Sequence, residues 1–568
     1  MSTASTKSRR RKKKRASETA SPKTKATEPI TVEAASSDVS ERSWFIASVA
    51  ILLVGSFLRL YDLKLVPLHH DEGVNGNFLV RLVRDGFYHY DPSNYHGPTL
   101  YYFSAIIPWI LRFLFGSSAQ NAYGLNTITI RLVPALFGVA TIWLVLLLRR
   151  RLGTVGTLCA AALLAVSPGA VYLSRYFIHE TLFVFFTLGV VIAGLKYWEH
   201  GHPVYLILAA VSAALLFATK ETALISAIVL VIALISTHLY RWLRDKSAST
   251  SQERQQKRSK GAEGREQPHH FIDRIGGSTT LAIWVVAAIA VFIAVNVLFY
   301  SSFFSNYPQG IHDALKMFEF WTKTGKEAHV HPFATYIQWL FWQESPLLFL
   351  GTIGAALVVW RPANSFALFS GLWAFGLIAA YSLIAYKTPW LTLNFVVPLA
   401  LVSGHVLQVF YDQGLAQLRL LGVIGVIAIG INGYQTIDLN FANYDNDDSY
   451  YVYVYAHTRR ETLKLVEEIN RIAERSKEGS LIGITIVSTD YWPLPWYLRD
   501  YSRVGYYGHM VDSNEPVIIA SESQGAEVQS KFGDRYQQVG SGLNPAGSYA
   551  LRPGVNLILY VRRGLAGF

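Results

Sequence analysis

Cysteine occurs once in 568 residues, as Cys159. No intrachain disulfide can form. The residue stands inside an apolar run where packing accounts for it, so thiol and redox mechanisms have no support. Charge is scarce as well: 16% of residues are Asp, Glu, Lys or Arg, against about 25% in an ordinary soluble protein. A cleavable leader is also missing. The basic run from Arg9 to Arg15 lies far ahead of the first apolar run, which ends in Arg59-Leu60-Tyr61-Asp62 rather than in small residues. There is no strong internal repeat, and no His and Cys spacing suited to a closed structural zinc site.

What is present in quantity is hydrocarbon. Apolar residues make up 51% of the chain, in many runs near or above the roughly 18–20 residues that cross a bilayer. Trp and Tyr are abundant, as anchors at the membrane surface. The pattern predicts a polytopic α-helical membrane protein with about 11 transmembrane helices. They fall at 44–60, 130–148, 154–173, 182–197, 204–217, 223–240, 281–300, 346–360, 366–385, 391–411 and 418–433. Two further apolar stretches, 78–83 and 100–115, read as helices at the interface.

The formal charge of +12 is concentrated in two places. Residues 1–42 hold 11 Lys/Arg against 5 Asp/Glu, and residues 241–275 hold 9 against 5. Both flank spans, so retention on the cytoplasmic side explains them better than nucleic acid does. This predicts a disordered basic cytoplasmic tail at 1–42, a transmembrane domain at 43–438 with a cytoplasmic loop at 241–275, and outer loops at 62–126 and 301–332. From 439 to 568 the composition changes. Strand signals at 451–455, 481–487, 517–520 and 556–561, with a helical pattern at 459–476, predict a small extracytoplasmic α/β domain.

That topology brings scattered polar residues to one membrane depth. They are His69, His70, Asp71, Glu72, His96, Arg175, His179, Glu180, Lys220, Glu221 and Lys387. Any single Lys or Arg there is explained by a helix end meeting water. Carboxylates are less easily dismissed, because they do not snorkel as Lys does, and acids at the membrane edge are functional by default. The residue types suit group transfer to a hydroxyl: a carboxylate can take the proton of an attacking hydroxyl, and cations can stabilise a departing anion. His70 with Asp71, and His179 with Glu180, could instead hold a divalent metal. His329 and His331 could also bind metal, though contact with substrate or headgroups suits their loop better.

A family resemblance appears in the same residues. The acidic pair after the first span, His96-Gly97-Pro98-Thr99-Leu100-Tyr101-Tyr102 and Arg131-Leu132-Val133-Pro134-Ala135-Leu136-Phe137-Gly138 resemble the protein O-mannosyltransferase and aminoarabinose-transferase superfamily. Those are GT-C membrane glycosyltransferases using polyprenyl-phosphate sugars. Ser174-Arg175 followed by Glu180, and Thr219-Lys220, are similar to later motifs of that group. His96-Gly97-Pro98 departs from the usual Lys-Pro-Pro. A narrower likeness, to the prokaryotic flippase activity-associated proteins, rests on three stretches: His69-His70-Asp71-Glu72-Gly73, Tyr386-Lys387-Thr388-Pro389-Trp390-Leu391 and Asp490-Tyr491-Trp492-Pro493-Leu494-Pro495-Trp496-Tyr497-Leu498.

The resemblance implies a general base at Asp71, support or acceptor contact from Glu72, and acceptor or metal binding at Glu180. It implies donor-phosphate contacts from Lys387, Arg175, Lys220 and His96. The expected partners are a polyprenyl-phosphate-linked sugar, a glycan, lipid or protein acceptor, and the bilayer, with no nucleic acid and no certain cofactor. A flippase for lipid-linked sugars is a competing expectation, opposed by the few charges in mid-span. A noncatalytic assembly protein on the same fold is another.

Overall fold

In the computed structural model, the described residues are 39–94, 96–116, 124–256, 275–323, 329–361, 364–413, 415–540 and 547–565. The expected basic tail at 1–38, most of the 241–275 loop and residues 324–328 of the 301–332 loop lie outside them. The first helix, α1 (Glu41–Leu60), begins where the Ser40 hydroxyl accepts from the Ser43 N–H. Three helices follow: α2 (His70–Asp85), α3 (Thr99–Phe115) and α4 (Thr127–Leu146). Next come a turn of helix, α5 (Arg149–Leu152), then α6 (Thr154–Ala165), α7 (Pro168–Ser174), α8 (Glu180–His200), α9 (Pro203–Phe217) and α10 (Ala223–Gln256). The second half holds α11 (Ser278–Tyr300), α12 (Gln309–Lys323), α13 (Thr335–Gln343), α14 (Ser345–Trp360), α15 (Ser365–Leu383), α16 (Leu393–Asp412) and α17 (Leu415–Ile437).

Among the described residues, 8 helices are long and apolar enough to cross a membrane, or up to 10 if two bent pairs each count as one span. The pairs are α6 with α7, bent by 57°, and α13 with α14, bent by 116°. The remaining expected span, α9, has 15 residues and falls short on length. The expected interfacial stretch at 100–115 is α3, a 17-residue helix carrying Pro108.

The two breaks are tied together. Pro168 cannot continue the hydrogen-bond ladder of α6, and Pro346 stands at the start of α14. Glu344, between α13 and α14, accepts at Oε1 from the Ser167 hydroxyl at 2.6 Å and from the Gly169 N–H at 2.8 Å. Backbone groups freed by one bend are thus satisfied by a side chain released at the other. Elsewhere α6 and α16 touch backbone to backbone: a Cβ on Gly156 would lie 2.8 Å from the Gly404 carbonyl oxygen, and a Cβ on Gly404 would collide with the Gly156 carbonyl. Small residues at a membrane helix interface permit this approach. Gly404→Val should therefore force the helices apart and cost about 1–3 kcal/mol, read as a lower unfolding midpoint in detergent.

The C-terminal region adds α18 (Glu461–Arg475), a short α19 (Leu494–Tyr497), α20 (Gly525–Phe532) and six strands. The strands are β1 (Gly483–Ile486), β2 (Arg503–Tyr506), β3 (Val517–Ser521), β4 (Tyr536–Gln538), β5 (Ser548–Arg552) and β6 (Val555–Arg562). Their order is β2-β1-β3-β6-β4, with β5 also paired to β6. The β1 pairings are parallel and the β6 pairings antiparallel. Alternation along β6 sends Leu557, Leu559 and Val561 to the face covered by α18, and Ile558 and Tyr560 to the face covered by α20.

One strand expectation fails. Residues 451–455 form turns, because their tyrosines are drawn inward one by one. Tyr451 OH donates to Asp438 Oδ2 at 2.9 Å, Tyr453 OH pairs with Thr392 Oγ1 at 2.9 Å, and Tyr455 OH pairs with His329 Nδ1 at 2.7 Å. The α/β region is not held by its linker alone. Residues Val39–Phe568 form one compact unit. Across the junction Leu68 N–H donates to Tyr497 OH at 2.8 Å, Arg84 pairs with Asp500 at 2.6 Å, and Arg499 Nη2 donates to the Leu125 carbonyl at 2.9 Å.

Candidate functional site

The site grows from the start of α2. His69 caps the helix, its Nδ1 accepting from the Asp71 N–H at 3.2 Å, while Glu72 reaches back to the His69 N–H at 2.9 Å. This capping box aims the Asp71 carboxylate away from the helix. Gly73 and Gly76 then let the 492–496 segment close on α2; a Cβ on either would fall 2.6 Å from Pro493 or Trp496.

Asp71 opens onto a cavity of about 810 Å³ at one end of the bundle. Its wall collects residues from many elements: His70 and Asp71 from α2, Asn94 and His96 from the following loop, and His179 and Glu180 at the start of α8. Lys220, Glu221 and Thr222 between α9 and α10 contribute, as do Tyr381 of α15, Thr388 and Trp390, and Tyr455. Arg552 arrives from β5. The described residues therefore bring Asp71, Glu180, Lys220, His96, His70 and His179 together on one cavity.

The acids there are held differently. Glu180 and Lys220 pair at 2.5 Å with both side chains 5% exposed. Glu221 meets His96 at 3.1 Å. Asp71 makes no side-chain hydrogen bond among the described contacts; His69 Nδ1 lies 3.9 Å from its Oδ2, and its side chain is 42% exposed. It is the carboxylate best placed to accept a proton from an incoming group.

Three residues expected at the site stand outside its lining. Glu72 is wholly buried, accepting from Arg131 Nε at 2.7 Å, Arg131 Nη2 at 2.5 Å, His69 N–H and the Phe177 N–H at 2.7 Å. Those four donors occupy a carboxylate's acceptor positions, so Glu72 contributes by holding α2 rather than by contacting substrate. Arg175 donates to the Leu58, Tyr61 and Asp62 carbonyls. A cation at the C-terminal end of α1 suits the last carbonyls there, and Arg175 is not among the residues that line the cavity. Lys387 is buried, its ammonium donating to the Ile384 carbonyl at 2.5 Å and the His331 carbonyl at 3.2 Å. Burial pushes its pKa below the usual lysine range.

The metal expectation fits these contacts poorly. Among the described residues no three His, Cys, Asp or Glu gather around a point. His70 Nδ1 faces the Arg552 guanidinium at 3.4 Å, and burial pushes its pKa down. His179 Nε2 lies 3.0 Å from the Gly97 carbonyl, which it meets as a donor.

Some groups had no role assigned from the sequence, although Arg131 and Thr388 stand in the motifs quoted for the resemblance. Arg131 organises the approach to the site, also donating to the Leu63 and Val66 carbonyls at 2.8 Å each. The hydroxyls of Thr222, Tyr381 and Thr388 are buried at the cavity wall without a hydrogen-bond partner. They sit where a second, apolar groove begins. That groove, about 610 Å³, runs between α10, α14 and α15 and shares Ile225 with the first cavity.

The fold has counterparts among known proteins. A family model described as dolichyl-phosphate-mannose-protein mannosyltransferase matches residues 105–251. None of the curated proteins matches the chain in sequence. Among solved structures, ArnT from Cupriavidus metallidurans in the apo state aligns with a TM-score of 0.56 at 13% identity, covering 91% of this chain and 98% of its own. The same protein bound to undecaprenyl phosphate aligns with a TM-score of 0.55 at 14% identity, covering 93% and 100%. The chain therefore shares its fold with ArnT, a fold of the GT-C type that the sequence resemblance implies.

Proposed function

We propose that this protein is an inverting glycosyltransferase that moves a sugar from a polyprenyl-phosphate carrier to an acceptor hydroxyl on the extracytoplasmic side. The observation that carries the reading is that an acidic cavity and an apolar groove lie side by side, with Ile225 lining both. A lipid phosphate has this division: a charged head that belongs in the cavity and a hydrocarbon tail that belongs in the groove. The fold shared with ArnT, a structure of which is described as bound to undecaprenyl phosphate, supports the same donor class.

The unpartnered hydroxyls of Thr222, Tyr381 and Thr388 stand where the head would meet the tail. A buried donor without a partner costs about 1–3 kcal/mol, and phosphate oxygens would recover that. Lys220 adds charge beside them, and Lys387 adds it from behind Thr388. Asp71 takes the acceptor's proton while the hydroxyl attacks the anomeric carbon from the face opposite the phosphate. The carbon–oxygen bond to the carrier breaks, the phosphate keeps the electron pair, and the anomeric configuration inverts. The phosphate is a good leaving group, so one base and a cationic corner suffice. The acids at the site are accounted for without any metal step.

Orientation rests on charge. Arg149, Arg150 and Arg151 lie at the far end of α4, opposite the cavity, and Arg241, Arg244 and Arg361 lie at that same far end of their helices. Basic residues stay in the cytoplasm, so the cavity and the α/β region face outward. The reading is tested by incubating the protein in nanodiscs with candidate polyprenyl-phosphate sugars and acceptors and following transfer by mass. Tyr381→Phe should raise the donor KM about tenfold with kcat little changed. No transfer from any polyprenyl-phosphate sugar would refute the reading.

A further inference from the structure

The α/β region reaches into the cavity through Arg552, the last residue of β5, where a bulge interrupts the pairing with β6. Arg552 is gripped by Asp490 through Nη2, and its Nη1 faces His70 Nδ1 at 3.4 Å, one residue from Asp71. Neither side chain of the pair is fully covered: Arg552 is 21% exposed and Asp490 40%. Beside them runs an aromatic ledge. Trp492 lies 6.1 Å from the His70 ring and 5.8 Å from Tyr491, which lies 5.2 Å from Tyr506. All three are half-buried.

We propose that Arg552, Asp490 and Trp492 form the acceptor subsite, and that the acceptor it takes is a carbohydrate chain with neutral, hydroxyl-rich residues. This rests on the transfer reading above and adds the class of acceptor. The paired guanidinium and carboxylate are close to neutral together. They offer donors and acceptors side by side, which is what adjacent sugar hydroxyls need. An arginine–carboxylate pair is also planar and fixed in direction. The ledge offers π faces to the C–H side of a sugar ring, and aromatic faces supply large contact area at low entropic cost. A free anion would compete with Asp490 for Arg552 and would face Asp71 and Glu221 across the cavity. Sites built to bond hydroxyls discriminate strongly against ligands that lack them.

The subsite stands next to the base because α2 accepts the 490–498 segment at close range. Gly73 and Gly76 make that approach possible, and Tyr497, Arg499 and Asp500 anchor it. A chain bound along Trp492 with its end at Arg552 would bring a terminal hydroxyl toward Asp71.

The test uses the full chain in nanodiscs without donor, probed with neutral mannose and glucose oligosaccharides by saturation-transfer NMR, with inorganic phosphate and an unrelated peptide as parallel probes. Wild type should bind at least one oligosaccharide series. Asp490→Asn and Arg552→Lys should each weaken it at least tenfold. Trp492→Phe should retain most binding and Trp492→Leu should lose it. Arg552→Lys keeps a cation for Asp490, so its effect reads the planar fork rather than folding, and unfolding midpoints confirm that each variant is folded. No oligosaccharide binding by wild type, binding unchanged in all four variants, or these variants losing peptide or phosphate binding instead, would overturn the proposal. Because binding is read without donor, the outcomes separate. Glycan binding without sugar transfer leaves this subsite standing and defeats the transfer reading. Transfer onto a peptide or a bare lipid does the reverse.

Discussion

Asp71→Asn should reduce sugar transfer about 10²–10⁴-fold, the range that a positioned general base contributes, with donor binding and the unfolding midpoint little changed. Asparagine keeps the shape of the side chain and cannot accept the proton. The expectation comes from how the acids at the cavity are used. Glu180 is committed to Lys220, Glu221 to His96, and Glu72 to Arg131. Asp71 carries no such commitment, stands partly open to the cavity, and sits in the first turn of α2. Single-turnover assays with radiolabelled polyprenyl-phosphate sugar separate the chemical step from donor binding. Transfer at the wild-type rate would remove Asp71 from the mechanism.

Glu72→Ala should be the most destabilising single change near the site. The ion pair with Arg131 is buried, with side chains 0% and 2% exposed. Removing one partner of such a pair costs about 3–5 kcal/mol, because the other charge is left without compensation in a low-dielectric interior. Here the loss also strands the His69 and Phe177 N–H groups. The measurement is the unfolding midpoint in detergent, together with the yield of monodisperse protein. A control separates charge from shape: Glu72→Leu combined with Arg131→Met should recover part of the lost stability, since neither charge is then orphaned. A Glu72→Ala protein as stable as wild type would mean that the pair is open to water, against its geometry.

These two acids are neighbours in sequence; the resemblance gave the base to Asp71 and left Glu72 between support and acceptor contact, and that choice was not legible there. His69-His70-Asp71-Glu72 announces a site because charged residues beside a hydrocarbon boundary are costly. Which acid faces the cavity and which faces the interior depends on where α4 lies, since Arg131 claims Glu72 from 59 residues away. Arg175 shows the same limit. It read as a phosphate contact, yet it donates to three carbonyls at the end of α1. The turns at 451–455 are a related case: alternating Tyr and Val fits a strand, but the hydroxyls found partners in separate elements. Strands β2, β4 and β5 went unread because they are short and mixed in polarity.

Apolar periodicity and basic flanks alone determined that this is a multi-span helical membrane protein with an appended α/β region. Hydrocarbon length and positive charge act locally, and a chain displays them without being folded. The acidic motif likewise marked its own position. Only the tertiary structure decided that Arg552 of a distant strand borders the same cavity as Asp71, that Thr222, Tyr381 and Thr388 line it too, and that an apolar groove lies beside it. Each of these is a contact between segments tens to hundreds of residues apart, created when bent and close-packed helices bring their ends together, and no local pattern encodes it.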